Sequence, residues 1–329
     1  MSTNNKNSNL TLAKKNKNDE FYTQFEDINN ELKHYKEHFR GKVVLCNCDD
    51  PKWSNFWNYF ILNFEHLGLK KLISTHYEES GSSYKLECVG LKNENGELIT
   101  LTTALQGNGD FRSYECIELL KEANIVVTNP PFSLFREYVA QLVEFAKQFI
   151  IIGNLNAITY KDIFKLLKSN ELWFGSTYFN GGAAYFNAPI ELYDKDKMSN
   201  EKNAYFKEGQ FYWRVNGVRW FTNINHKKRN EELILYRKHN EVDYPKYDNY
   251  DAIEVSKVKD IPINYDGVMG VPISFMDKFN PNQFEILDIN PHFFIIVDSG
   301  LPKPKQLKLI GKKDPYARIL IKRIKQPGE

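Results

Sequence analysis

Apolar positions between about residues 40 and 170 switch repeatedly between two spacings. Short unbroken runs, KVVLC (Lys42–Cys46), KLISTHY (Lys71–Tyr77), NIVVT (Asn124–Thr128) and QFIIIGNLNAI (148–158), predict strands covered on both faces. Between them the spacing becomes helical. Trp53, Phe56, Trp57, Phe60, Ile61 and Phe64 form one i, i+3, i+4, i+7 face, with Asp50 placed as N-cap, Pro51 as first helical residue and Gly68 as stop. Further helices are predicted over Ile28–Phe39, from a Ser113 cap through Lys121, and over Leu134–Ala146. Strand, helix and strand across 42–77 make a right-handed crossover unit, so this half reads as α/β with a doubly wound, mostly parallel sheet. YKLECVGL and ELITLTT flank the turn-rich Asn93–Gly96 and predict an inserted hairpin.

After about residue 172 the pattern loses its helices. Asn216-Gly217 between FYWRV and VRWFTN is a hairpin signal, and an α/β sheet can finish with such an antiparallel pair. The segments YPKYDNYDAI and GVMGVPISF are irregular and rich in Tyr, Pro and Asp. The expected organisation is a disordered basic arm over 1–18, a catalytic domain over 19–230, and an irregular region with a basic tail over 231–329.

Composition adds exclusions. The chain has 329 residues, enough for a large core, and no apolar run long enough to cross a membrane. The N-terminal stretch lacks the apolar core of a secretory signal, and four cysteines are no disulfide framework, so a reduced, cytoplasmic protein is expected. The net charge of +2 conceals a partition: residues 1–18 carry +4, residues 301–329 carry +7, and the stretch between them is left at −9. Positive ends can grip a phosphate backbone while the middle stays acidic. Aromatic residues reach 14%, which fits either a ring-rich core or stacking on flat ligands.

The sharpest chemical signal is Asn129-Pro130-Pro131-Phe132, directly after an apolar strand. Ligands of open α/β sheets sit beyond the carboxyl ends of strands. Two prolines remove two N–H donors. An amide oxygen, a Pro carbonyl and an aromatic ring remain, which together suit an exocyclic amine on a planar heterocycle. With both amine hydrogens held by Asn129 and Pro130, the nitrogen lone pair is less delocalised into the ring and becomes nucleophilic without prior loss of a proton.

This tetrapeptide, with DEFYTQ, VVLCNCDDP, GDFRS, ITYK, GVMGVP and RILIK in this order, resembles the EcoRI-type adenine-specific DNA methyltransferases over nearly the whole chain. The resemblance implies a Rossmann-like class I methyltransferase fold using S-adenosylmethionine, followed by a target-recognition region. It implies methylation at N6 of a flipped-out adenine in double-stranded DNA, as in type II restriction–modification. The catalytic residues would be Asn129, Pro130, Pro131 and Phe132. Tyr22 and Thr23 would lie against the methionine part of the cofactor. Cys46, Asn47, Asp49 and Asp50 occupy the slot of the usual Gly-rich loop, although no F-x-G-x-G is present, and Asp50 is equally a plain N-cap. Asp110 would accept from the cofactor's adenine amine and Phe111 would pack on its ring. Glu78 or Glu79 is the candidate ribose acid. A methyltransferase that modifies one strand per visit can work as a monomer, which is the expectation here, and a cognate endonuclease, where one exists, is expected to share the target sequence without binding.

Arg214, Arg219, Lys227, Lys228 and Arg229 are the candidate DNA contacts, most of them to phosphate. Trp220-Phe221 either clamps the flipped base or packs inside the hairpin. His34-x-x-Glu37-His38 fits a zinc pattern but has no third ligand and reads as a solvated helix face, and the cysteines lack zinc spacing. Two other readings are a protein glutamine-amide methyltransferase and a DNA-binding relative without catalysis. The long C-terminal half opposes the first, and the intact GDF and NPPF oppose the second.

Overall fold

A computed structural model describes residues 22–79, 82–179, 183–188, 204–207, 209–290, 307–309 and 317–325. The expected arm over 1–18 lies outside the described residues. The chain divides into two compact units, one of residues 1–155 and 177–224, the other of 156–176 and 225–329.

In the first unit the helices are α1 (Phe25–Leu32), α2 (Lys36–Phe39), α3 (Asn55–Leu62), α4 (Phe64–Leu67), α5 (Tyr114–Glu122) and α6 (Phe135–Glu144). Its strands are β1 (Val43–Cys46), β2 (Lys71–Thr75), β3 (Tyr84–Lys92), β4 (Leu98–Ala104), β5 (Ile125–Thr128) and β6 (Gln148–Asn154). After β7 (Trp173–Phe174), which falls in the second unit, come β8 (Ala183–Ala188), β9 (Ala204–Lys207), β10 (Gln210–Asn216) and β11 (Val218–Thr222). The large sheet of this unit runs β4-β3-β2-β1-β5-β6-β11. The four central strands are parallel, with Val44 beside Leu72 and Ile125, and Val127 beside Ile150. Every residue of β1 and β5 is buried, as their near-continuous apolar runs require when helices cover both faces. β1 pairs with β2 on one side and β5 on the other, so the connections depart in opposite directions. Their carboxyl ends therefore open a crevice at a topological switch point.

The hairpin expected over 84–105 forms as β3 and β4, added antiparallel to β2, with β4 an exposed edge. Several expectations are corrected. The helix expected over 28–39 is broken by a 3-10 turn at Lys33–Tyr35. Helix α3 begins at Asn55, capped by the Ser54 hydroxyl accepting from Phe56 N at 3.2 Å, and not by Asp50 with Pro51. Asp50 instead accepts from Tyr84 Oη at 2.5 Å and lies 3.3 Å from His76 Nε2, so a partner 34 residues away claims the carboxylate. Trp53 thereby leaves the buried face and stands 70% exposed. Strand β6 ends at Asn154 and β2 at Thr75, both earlier than the apolar runs suggest.

The hairpin expected at Asn216-Gly217 is not formed. Gly217 has φ +74 and carries the chain from one sheet into another: β10 pairs with β8 and β9, whereas β11 pairs antiparallel with β6. The cause is burial. All five residues of β11 are covered, which suits the large sheet, while β10 buries Phe211 alone. Trp220 and Phe221 are 1% and 0% exposed, Trp220 stacking on Phe179 at 5.6 Å and Phe221 tilting against Phe135 at 5.0 Å. They have no face left for a base, so the clamp reading fails and packing stands.

The second unit contains α7 (Lys161–Lys168), which buries Ile163, Phe164 and Leu167, together with β12 (Ile253–Glu254), β13 (Met269–Pro272), β14 (Phe284–Asn290) and β15 (Arg318–Arg323). The order in its sheet is β12-β13-β15-β14. Inside it Glu254, 4% exposed, accepts from Arg318 Nη2 at 2.6 Å and from the Tyr247 hydroxyl. Among the described residues no helix is long and apolar enough to cross a membrane.

Candidate active site

Asn129 follows the last residue of β5, and Pro130, Pro131 and Phe132 turn the chain into α6. All peptide bonds among the described residues are trans. Asn129 and Pro130 are buried, and Phe132 is half-buried, edge-on to Phe186 of β8 at 6.5 Å. The tetrapeptide is held to the loop after β1 by its own neighbours. Thr128 donates its hydroxyl to Asn47 O, and Tyr138 of α6 donates to the Asn47 side-chain oxygen. Asn47 is 4% exposed, so these bonds are made away from solvent.

That loop, Cys46–Asp50, lacks the glycines of the usual motif but not their backbone conformation. Cys48 has φ +76, a left-handed value that costs a side-chain-bearing residue ~1–2 kcal/mol. The strain is tolerated because the flanking residues are pinned: Asn47 as above, and Asp49 by the Ser54 hydroxyl at 3.1 Å. Burial, then the charge of Asp49, pushes the Cys46 thiol well above the ordinary thiol range, so it stays a neutral core group.

The GDF segment sits beside the end of β2. Gly109 has φ +77, and a Cβ there would lie 2.0 Å from His76 O, so only glycine permits this approach. Asp110 accepts from Arg112 Nη2 at 2.6 Å, Nε at 2.8 Å and N at 2.9 Å, and the guanidinium holds its carboxyl below the usual range. Three of the roughly four acceptor directions of a carboxylate are thus used, leaving one for an incoming amine. Phe111 packs edge-on to Tyr138 at 5.0 Å, and its carbonyl accepts from Gln141 Nε2 at 3.2 Å. Arg112 also reaches Glu137 at 3.3 Å. One face of α6 (Glu137, Tyr138, Gln141) therefore braces both loops. Sequence reading missed these residues, because an i, i+1, i+4 set on an amphipathic helix looks like ordinary packing.

Thr23 is 1% exposed, and its carbonyl accepts from Asn55 Nδ2 at 2.7 Å, which docks the DEFYT segment on the start of α3. Its hydroxyl is buried without a hydrogen-bond partner among the described residues. Tyr22 is half-buried and bridges by backbone to Asn187 of β8. Glu78 is half-buried and Glu79 exposed just past β2. An orphaned hydroxyl at Thr23, the close backbone approach at Gly109 and a carboxylate with one open direction at Asp110 fit a polar cofactor bearing an amine.

The candidate DNA residues divide. Arg214 is half-exposed on β10 and Lys227 is exposed in the second unit. Arg219 is 9% exposed, bonded to Val218 O at 2.9 Å. Lys228 donates to Ser176 O at 2.9 Å, and Arg229 lies 3.5 Å over the Trp173 ring, where burial lowers its pKa. The last three turn toward the protein. The described residues hold no cluster of His, Cys, Asp and Glu able to bind a metal.

A family model described as adenine-specific methyltransferase EcoRI matches residues 9–324. The chain belongs to this methyltransferase family. Its relatives include the type II methyltransferase M.EcoRI of Escherichia coli, 47% identical, with 95% of each chain covered. M.MpnI of Mycoplasma pneumoniae is also 47% identical, covering 94% of this chain and 96% of its own, and M.MgeORF184P of Mycoplasma genitalium is 39% identical, covering 94% and 97%. The methyltransferase is thus an enzyme matched over nearly all of its length to these relatives, and the mixed, largely parallel sheet of its first unit agrees with that membership.

Proposed function

We propose that this methyltransferase transfers a methyl group from S-adenosylmethionine to N6 of an adenine within a specific sequence of double-stranded DNA, in a prokaryotic restriction–modification setting. The single observation that supports it most is the placement of Asn129–Phe132 at the switch point, tied through Thr128 and Asn47 to the loop after β1. The first unit is read as the Rossmann-like, class I catalytic part, and the second as the target-recognition part.

S-adenosylmethionine, when bound, supplies an already activated methyl group. Thr23, Asn47, Asp49, Asp110 and Phe111 would hold it, with Tyr22 and Asp50 beside them. The chain's own task is to position the acceptor. The Asn129 amide oxygen and the Pro130 carbonyl accept the two amine hydrogens of an extruded adenine, and Phe132 offers its ring to the base. Held so, the amine keeps its lone pair available and needs no general base. The left-handed turn at Cys48 keeps the loop in the form that glycines give elsewhere, which counts against the reading as a catalytically dead relative. One methyl added per visit suits an enzyme that works as a monomer, and a cognate endonuclease, where one exists, shares its target rather than its surface.

Sequencing DNA methylated by the pure protein tests base and target together, and Asn129→Ala tests the mechanism. Transfer is expected to fall at least a thousandfold while DNA binding persists. Near-wild-type turnover in that variant refutes the mechanism.

A further inference from the structure

The β8–β10–β9 sheet has two unlike faces. Cross-strand partners share a face of a sheet. Phe186 and Phe211 point to the buried side, and Phe186 there meets Phe132 of the catalytic tetrapeptide. The alternate residues point the other way. Tyr212 pairs with Asn187 on one side and Tyr205 on the other, Arg214 pairs with Tyr185, and Gln210 pairs with Lys207. This outer face thus carries three half-exposed tyrosines, three amides counting Asn216, and two cations; among the described residues its strands add no acid there, and Glu26 of α1 lines the same cleft. The Tyr205 and Tyr212 rings stack at 4.8 Å with an interplanar angle of 12°, and Tyr185 leans on Tyr205 at 5.2 Å.

The same face forms one wall of a cleft of about 580 Å³, contributed by Asn187, Gln210 and Tyr212. The rest of the lining is Trp53 and Asn55, which stand just after the loop that follows β1, together with Tyr22, Gln24, Phe25 and Glu26. Trp53 is 70% exposed because the turn at Asp50 carries it off the helix face. Large flat rings beside amide donors and acceptors, with cations on the same face, are the chemistry that takes a nucleobase and its phosphate.

We propose that this cleft is a second nucleobase site, which takes an unpaired DNA base by stacking on Tyr212 and Trp53, with neighbouring phosphates on Lys207 and Arg214. It lies on the side of the small sheet away from Phe132 and is separate from the target adenine's place. Glu26 and the amides accept or donate at the base edge. The inference rests on the reading of the protein as a DNA methyltransferase and adds a surface that shares Tyr22 and Gln24 with the DEFYTQ segment and otherwise lies outside the catalytic motifs.

The test uses the full chain and two titrations, one with S-adenosylmethionine and one with a single-stranded thymidine oligonucleotide, beside methylation of duplex DNA. Tyr212→Ala and Trp53→Ala are each expected to weaken oligonucleotide binding about fivefold to a hundredfold. Tyr212→Phe, which keeps the ring, is expected to restore it, and cofactor affinity is expected to stay within about twofold. Lys207→Ala with Arg214→Ala is expected to lower the slope of log affinity against log salt by about one to two. Unchanged oligonucleotide affinity in both ring variants overturns the proposal. So does a loss of cofactor affinity with DNA binding intact, which would make the cleft part of the cofactor site. A wild-type protein that neither binds nor methylates DNA removes the functional reading itself, and the proposal with it.

Discussion

Tyr138→Phe tests how the catalytic tetrapeptide is joined to the first loop. The substitution removes one oxygen from a residue that is 0% exposed and leaves its edge contact with Phe111 in place. What is lost is the hydroxyl that donates to the Asn47 side-chain oxygen and also bonds the Cys48 thiol. Asn47 is 4% exposed, so water cannot fully replace the donor. An acceptor left unsatisfied in such a place costs ~1–3 kcal/mol. If the cost falls on global stability, the melting temperature drops by about 2–10 °C. If it falls on the loop's bound conformation, cofactor affinity drops about fivefold to a hundredfold. Calorimetric titration with S-adenosylmethionine and thermal unfolding measure the two shares. An Asn47→Ala and Tyr138→Phe double-mutant cycle then isolates the bond, with a coupling above ~0.5 kcal/mol expected. A coupling near zero, with both singles behaving as wild type, would show that α6 does not brace the loop.

Gly109→Ala would place a Cβ 2.0 Å from His76 O in a residue with φ +77. The GDF segment must shift, and cofactor affinity is expected to fall at least tenfold by titration; an unaltered affinity contradicts the close approach. Asp27 has its pKa raised to about 6, by burial first and then by Glu26. Its ionisation therefore costs the folded state: the contribution is fully favourable below about pH 4 and is lost as pH rises through about 6. Asp27→Asn is expected to gain ~1–2 kcal/mol near pH 7, less than the full shift implies because of solvent screening, and nothing below pH 4, as read from denaturant midpoints. In the second unit, Arg318→Met strips the guanidinium from buried Glu254 and is expected to cost ~3–5 kcal/mol; adding Glu254→Gln should recover most of that in the same unfolding assay.

Much of this protein is readable without coordinates. Continuous apolar runs marked β1, β5 and β6 as strands covered on both faces, because a parallel sheet leaves no face for water. Helix signals between them implied crossover connections, and NPPF after IVVT put the candidate chemistry at a strand end. Local periodicity reports which face is apolar, however, and not what covers it. Asp50 before Pro51 is a sound cap by sequence, and only Tyr84 and His76, brought across from β3 and the end of β2, draw Asp50 away and leave the cap to Ser54. Asn216-Gly217 has the composition of a hairpin turn, yet two sheets compete for its flanks and the fully buried β11 goes to the larger one. The loop with no glycine motif still makes the left-handed turn, at Cys48, because Asn47 and Asp49 are held by residues far along the chain. The sequence by itself determined the elements and the reactive tetrapeptide, since both depend on neighbours a few positions apart. The tertiary structure decided which strands meet, which carboxylates are already engaged and which rings remain open, since those depend on hydrogen bonds and burial between residues distant in the chain.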